Sequence, residues 1–236
     1  METILKLDQV NTFYGKSHIL QGITLEVREN EILCLLGRNG VGKTTTLKSI
    51  MGLIPQRIGT LLFHGKDISQ LDNYLIPRLG IGYVPQGRHI FSDLSVRENL
   101  KIGIVTNDTR QKSYEEIFSY FPILAERLNQ LGGTLSGGEQ QMLAIARALV
   151  PSPTLILLDE PSEGLMPKMV KLVGEIIQKI NQTGVAILWV EQKLVTVMEA
   201  SHRIHLISKG KVEYEGTPKE LMHDREIQLR YLGVKV

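Results

Sequence analysis

Apolar and polar residues recur along this chain with two different periods, and the places where the period changes divide it into elements. In Ile4–Val10 and again in Ile23–Val27 the two classes largely alternate, the pattern of a half-buried antiparallel strand. Ile32–Leu36, Ile81–Val84, Leu155–Leu158 and Val185–Val190 are short apolar runs, which suit strands buried in a core. Gly59–His64 reads as a strand turning at His64-Gly65-Lys66, and Arg203–Ser208 with Lys211–Glu215 as a hairpin around Lys209-Gly210. From Asp93 to Val150 the period becomes helical. Ser95 and Glu98 have capping-box spacing, a periodic segment runs from Tyr114 to Leu128, and Met142, Ile145, Ala146 and Leu149 share one face of a helix that stops before Pro151. Pro167 opens another helix, with Val170, Val173, Ile177 and Ile180 on one face until Asn181–Gly184 breaks it, and Pro218 to Met222 forms a short last one. The sequence therefore predicts an α/β fold with an antiparallel β portion and a helical subdomain, about residues 88–150, inserted between strands of the core.

Composition narrows this picture in three ways. A chain of 236 residues that is 42% hydrophobic fills one large core, so residues 1–236 are expected to form a single unit. The 27 basic residues are scattered and nearly balanced by 25 acidic ones, so composition gives no argument for nucleic acid or for an anionic membrane surface as a partner. The longest apolar stretches fall far short of the roughly 18 residues that cross a bilayer. Met1-Glu2-Thr3 carries no leader-like pattern, and the expectation is a cytoplasmic chain. Cys34, the sole cysteine, lies within an apolar strand and reads as a buried, inert thiol. His202 and His205 fall in a polar hairpin without ligand-spaced partners, and read as surface or hydrogen-bonded side chains.

The chemistry concentrates at Gly37-Arg38-Asn39-Gly40-Val41-Gly42-Lys43-Thr44-Thr45, between a predicted strand and a predicted helix. Glycines at 37, 40 and 42 let backbone N–H groups converge on a phosphate chain at a helix N-terminus, Lys43 supplies a mobile cation, and the Thr44 hydroxyl is placed to ligate Mg²⁺ with Thr45 as a further phosphate donor. This is a Walker A phosphate loop. Gln86 ends a strand at the crevice edge, as does Gln192. Leu155–Leu158 ends in Asp159-Glu160; beside a bound metal and phosphates, Asp159 suits the metal and Glu160 the position of an attacking water. Tyr14, before Gly15, is a candidate to stack on a base. Ser136-Gly137-Gly138-Glu139 caps a helix, which is another anion-binding geometry.

Tyr14, Gly37–Thr45, Gln86, Leu135–Gln141 and Leu155–Glu160, in that order, make the chain resemble the nucleotide-binding subunits of ABC transporters over nearly its full length. The Leu-Ser-Gly-Gly-Glu signature carries the resemblance, because phosphate loops and acidic strands occur in many other ATPases. It implies a P-loop NTPase core with an antiparallel β subdomain and an inserted helical subdomain, and ATP with Mg²⁺ as cofactors. In that family Tyr14 stacks on adenine, and Gly37, Arg38, Asn39, Gly40, Val41, Gly42, Lys43, Thr44 and Thr45 cradle the phosphates. Thr44, Gln86 and Asp159 would serve the metal, Glu160 would be the catalytic base, and Leu135, Ser136, Gly137, Gly138 and Glu139 would reach the nucleotide held by a second subunit.

The chain also departs from the commonest family pattern. Glu163-Gly164-Leu165-Met166 stands where most members have Ser-Ala-Leu-Asp, and Gln192 replaces the switch histidine. A glutamine amide can donate to the γ-phosphate but carries no proton, so the burden of base catalysis shifts to Glu160. Pro161-Ser162-Glu163-Gly164-Leu165 and Val190-Glu191-Gln192 resemble the ATP-binding subunits of branched-chain amino acid and urea importers. Ser17-His18-Ile19-Leu20, Gly37-Arg38-Asn39-Gly40-Val41 and Val84-Pro85-Gln86-Gly87-Arg88 lean to the urea branch. The resemblance implies a peripheral subunit on the inner face of the membrane. Its partners would be a second, homologous ATPase chain (non-identical, or an identical copy), two permease chains and, indirectly, a solute-binding protein. A soluble ABC ATPase acting on DNA or ribosomes is the alternative, but such relatives usually carry a coiled-coil insertion or a duplicated cassette, and this sequence has neither.

Overall fold

A computed structural model describes residues 2–104 and 113–233. The chain opens with a long hairpin, β1 (Thr3–Tyr14) and β2 (Ser17–Arg28), followed by β3 (Ile32–Leu36), α1 (Lys43–Ile50), β4 (Arg57–Phe63), β5 (Lys66–Asp67) and β6 (Ile81–Val84). The helical portion comprises α2 (Val96–Ile102), α3 (Tyr114–Tyr120), α4 (Pro122–Glu126) and α5 (Gly137–Leu149). Thereafter β7 (Leu155–Asp159), α6 (Pro167–Gln182), β8 (Ala186–Glu191), α7 (Leu194–Val197), β9 (Arg203–Ser208), β10 (Lys211–Gly216), α8 (Pro218–His223) and α9 (Arg225–Ile227) complete the fold.

These elements build two sheets. One is antiparallel, in the order β2-β1-β4-β5; the other has six strands in the order β10-β9-β3-β8-β7-β6, parallel except where β10 folds back on β9. β3, and β6, β7 and β8 up to the acids that end the last two, are apolar because both faces are covered, whereas β9 also carries Arg203 and His205. Cys34 and Leu36 of β3, Ile156 and Leu158 of β7, and Ile187 and Trp189 of β8 face a core completed by α2–α6. The alternate residues Leu33, Leu35, Leu155, Leu157, Leu188 and Val190 face a second core shared with α1 and the antiparallel sheet. One sheet thus serves two cores, and the strand ends between them hold the acidic and amide residues singled out above.

Several boundaries differ from those the sequence predicts. The first two strands are longer than Ile4–Val10 and Ile23–Val27, because an irregularity at Gln9, whose φ is +50°, shifts the register and lets pairing continue to Tyr14. The segment from Tyr114 to Leu128 is two helices rather than one. Pro122 has no N–H and forces the residue before it out of helical geometry, and Phe121 accordingly sits at φ −128°, ψ 65° with its ring fully buried. Of the 88–150 segment, residues 105–112 lie outside the described residues. Among the described residues no helix is long and apolar enough to cross a membrane.

His205 is a further correction. It is neither exposed nor hydrogen-bonded: it is 1% accessible, both ring nitrogens lack a partner, and Glu215 Oε2 comes only to 3.5 Å of Nε2. Burial, with a smaller contribution from the Arg203 charge, lowers its pKa to about 3. Its ordinary value is 6.5. The unfolded chain therefore takes up a proton at His205 as pH falls through 6.5, while the folded chain does so only near 3, so stability is full above 6.5 and drains away between the two. For His205→Phe, the gain in unfolding free energy over the wild type is expected to grow as pH falls across that window, towards about 5 kcal/mol. Urea denaturation at pH 7, 5 and 4 measures it, and a pH-independent difference would contradict the buried neutral imidazole.

Candidate active site at the phosphate loop

The loop between β3 and α1 is shaped by what packs behind it. A Cβ at Gly37 would stand 2.6 Å from the Ile207 carbonyl oxygen, and Gly42, at φ +113°, would place one 2.7 Å from Leu20. A side chain at Gly37 would have to displace the β9 backbone, and one at Gly42 would be strained by the left-handed backbone as well as pressing on the Leu20 side chain. Gly210, in that turn, donates its N–H to the Val41 carbonyl at 2.9 Å and so closes the loop from behind.

Inside the loop Lys43 is buried, with three acceptors for its three N–H donors. Nζ lies 2.9 Å from the Gly37 carbonyl, 3.1 Å from the Arg38 carbonyl and 3.1 Å from Glu160 Oε1. Next to it the Thr44 hydroxyl donates to Asp159 Oδ1 at 2.9 Å, and the Tyr83 hydroxyl reaches Asp159 Oδ2 at 3.5 Å. Burial pushes the Asp159 carboxyl above its ordinary pKa; the Thr44 hydrogen bond opposes this and the Glu160 charge adds to it. Asp159 is thus an acid held at a cost that a nearby cation would remove.

A cavity of about 330 Å³ opens over the loop. Tyr14, Asn39, Gly40, Gly42, Lys43, Thr44, Thr45, Gln86 and Glu160 line it, so the predicted base-stacking residue, phosphate cradle, amide and carboxylate share one space. An elongated anion fits it, with an aromatic ring at one end and a lysine and helix N-terminus at the other. Among the described residues no three His, Cys, Asp or Glu side chains converge on a metal position. A metal here would instead be held by Thr44, Asp159 and Gln86 together with ligand oxygens and water, a hard all-oxygen set that suits Mg²⁺.

Gly37, Arg38, Val41 and Asp159 stand behind the lining, the first two offering their carbonyls to Lys43 and Asp159 its carboxylate to Thr44, and two further groups of predicted residues lie away from this cavity. Leu135–Glu139 form the start of α5, where Ser136 and Glu139 cap each other and Arg127 pairs with Glu139 at 3.1 Å. Gln192 lines a separate groove of about 840 Å³ beside α6 and α7.

Four side chains that the sequence did not mark as functional complete the surroundings. Gln86 Nε2 donates to Glu163 Oε2 at 2.9 Å. Glu191, buried at the end of β8, accepts from Ser162 Oγ at 2.5 Å, and burial raises its pKa against the hydrogen bonds that lower it. Arg88 reaches from the segment after Gln86 to Gln140 Oε1 of α5 at 3.3 Å. Glu163 stood in the sequence as part of a departure from the common family pattern and Glu191 as part of Val190-Glu191-Gln192, but nothing in the sequence shows what either touches.

Comparison with known proteins agrees with this geometry. The family profile described as ABC transporter matches residues 20–163. The high-affinity branched-chain amino acid transport ATP-binding protein BraG of Pseudomonas aeruginosa is 38% identical, across 98% of this chain and 100% of its own. The lipopolysaccharide export system ATP-binding protein LptB of Haemophilus influenzae is 36% identical, across 98% of each. Among solved structures, the dimeric post-hydrolysis state of the ATP-binding cassette MJ0796 bound to ADP and Pi superposes with a TM-score of 0.80 at 26% identity, over 91% of this chain and 98% of that one.

Because Asp159 is buried with a raised pKa, its ionisation lowers stability at every pH above its ordinary value. Asp159→Asn is therefore expected to raise the Tm at pH 7 in the presence of EDTA, each kcal/mol relieved giving roughly 2–4 °C in a chain of this length. The same variant should lose the rise in Tm that Mg²⁺ with ATP gives the wild type. Differential scanning calorimetry with and without the metal checks both, and an Asp159→Asn protein still stabilised by Mg²⁺ would remove this residue from the metal site.

Proposed function

The chain belongs to the ABC transporter family, and from that premise we propose that it is the ATP-hydrolysing, energy-coupling subunit of an importer for branched-chain amino acids or urea. That it binds and hydrolyses ATP follows from the family; the solute and the direction of transport are the reading offered here. The observation that carries the ATPase chemistry is the Lys43 Nζ–Glu160 pair at 3.1 Å beside the Thr44–Asp159 hydrogen bond, under a cavity that also contains Tyr14 and Gln86. The import reading is supported by end-to-end similarity to BraG and by Pro161–Leu165 and Val190–Gln192. The comparable similarity to LptB favours, as a second reading, a lipopolysaccharide-type exporter.

The residues divide the work as follows. Tyr14 stacks on the base, and Gly37–Thr45 offer N–H donors to the phosphates. Lys43 exchanges Glu160 for phosphate oxygens, which frees the Glu160 carboxylate to take a proton from water as that water attacks the γ-phosphorus and the bond to the ADP oxygen breaks. Mg²⁺, when bound, neutralises phosphate charge, and Thr44, Asp159 and Gln86 would hold it. Gln192 donates its amide to the γ-phosphate after turning out of the α6–α7 groove. Ser136, with Leu135 and Gly137–Glu139, acts on the nucleotide of a partner chain, a role supported by their position away from their own loop cavity. Residues 1–236 act as one nucleotide-binding unit with 88–150 as its helical subdomain. It sits on the cytoplasmic face of the membrane against two permease chains, with a homologous ATPase chain as its mate.

Glu160→Gln is expected to retain ATP binding while turnover drops by about 10³-fold or more, as loss of a general base implies; phosphate release and equilibrium nucleotide binding measure the two, and unchanged turnover would exclude Glu160 as the base. Ser136→Ala should leave the ATP affinity of the isolated chain intact and lower turnover in the paired assembly by roughly 10-fold or more. Native isolation of the membrane complex decides the transport reading: co-purifying permeases with an amino-acid- or urea-binding protein support import, and lipopolysaccharide-bound membrane subunits overturn it.

A further inference from the structure

Glu160 stands in a backbone conformation that its side chain disfavours. Its φ is +47°, in the left-handed region, which costs a non-glycine residue about 1–2 kcal/mol. Such a conformation persists only where the surroundings over-determine it, and here the end of one strand does so from two directions. The Val190 carbonyl of β8 accepts the Glu160 N–H at 3.0 Å. The following residue, Glu191, holds the other side of the same turn: one carboxylate oxygen accepts from Ser162 Oγ at 2.5 Å and from the Ser162 N–H at 3.3 Å. The turn is closed by the Glu163 N–H, which donates to the Glu160 carbonyl at 3.1 Å.

The same carboxylate extends the connection at both ends. Its second oxygen accepts the Gln192 N–H at 3.2 Å, and the indole of Trp189 donates to the first at 3.4 Å. On the far side of the turn, Glu163 holds the Gln86 amide at 2.9 Å. Glu191 is 3% accessible and Ser162 9%, so water does not replace these partners, and a buried carboxylate without them carries the full cost of desolvation.

We propose that Glu191 is a positioning residue for ATP hydrolysis: acting through Ser162, it fixes the Glu160–Glu163 turn in its strained conformation and ties that turn to the backbone of Gln192. The geometry gives this buried acid a task that packing alone does not require. Without the Ser162 anchor the turn relaxes toward an unstrained φ, and the Glu160 carboxylate leaves the position it needs to receive a proton. A misplacement on the order of 1 Å at a reacting group costs up to about 10²-fold in rate. The glycines stay in place, because they pack on Ile207 of β9, Leu20 of β2 and Gly210 and not on this turn; Lys43 keeps the Gly37 and Arg38 carbonyls and loses only its pairing with Glu160, which phosphate oxygens replace when nucleotide binds. The proposal rests on the assignment of Glu160 as the base.

The test is steady-state turnover of the full chain, in the assembly where wild-type activity is greatest, with ATP affinity measured separately by calorimetric titration. Ser162→Ala and Glu191→Gln should each lower kcat by about 10-fold while KM and affinity stay within about twofold, the split expected of a group that acts in the transition state and not in ground-state binding. Ser162→Thr keeps the hydroxyl and should recover kcat to within about threefold of wild type. Because the two residues act as one contact, the double variant should fall no further than the lower single one. Wild-type kcat in both single variants, losses that multiply in the double, or affinity that falls in step with kcat would each overturn the proposal. Glu160→Gln run in parallel separates the failures: wild-type turnover there removes the base and this proposal together, whereas an inactive Glu160→Gln beside a fully active Ser162→Ala removes the positioning role alone.

Discussion

A buried lysine charge is the constraint from which the rest of the structure follows. Lys43 is 4% accessible, and its three donors are met by two loop carbonyls and the Glu160 carboxylate. Such a cation is tolerable only where its neutralising groups are held fixed. The carbonyls are fixed because Gly37 and Gly42 lie flush against Ile207 and Leu20. The carboxylate is fixed because Glu160 caps a strand that is hydrogen-bonded on both sides. In the proposed chemistry a phosphate chain takes over the role of Glu160 towards Lys43.

The six-stranded sheet places these groups within reach of one another. β3, β7 and β8 are adjacent, in register and parallel, so the phosphate loop, the Asp159-Glu160 pair and Glu191-Gln192 all emerge at one edge. Only a sheet with both faces covered can bring three such ends together, because its strands need no polar face and are all free to point the same way. The helical portion then supplies the serine-capped end of α5, which does not line the loop cavity of its own chain. In the proposed chemistry the serine-capped α5 end of a second ATPase subunit would complete each loop cavity.

The acidic residues at this edge carry a price in stability. Asp159 and Glu191 both have raised pKa values caused chiefly by burial, and Glu160 adds backbone strain. Stored cost of this kind is common where function sets geometry. His205 is a cost of a different sort: a buried imidazole without hydrogen-bond partners in the strand next to β3, for which the site has no use.

The sequence by itself determined the α/β class, the phosphate loop, the acidic strand end and the signature helix, because each is set by local spacing: glycines at fixed offsets, apolar runs, a serine three residues before a glutamate. Local signals also misled, where a bulge at Gln9 prolonged a strand and Pro122 split a periodic segment in two. What only the tertiary structure decided is which distant residues meet. That Glu191 grips Ser162 across 29 positions, that Glu163 holds Gln86 across 77, that His205 is sealed in and that Gln192 faces a neighbouring groove all depend on strand order and on which face each alternate side chain takes. Neither is written in any one stretch of chain, since both are settled by how the two cores close on the shared sheet.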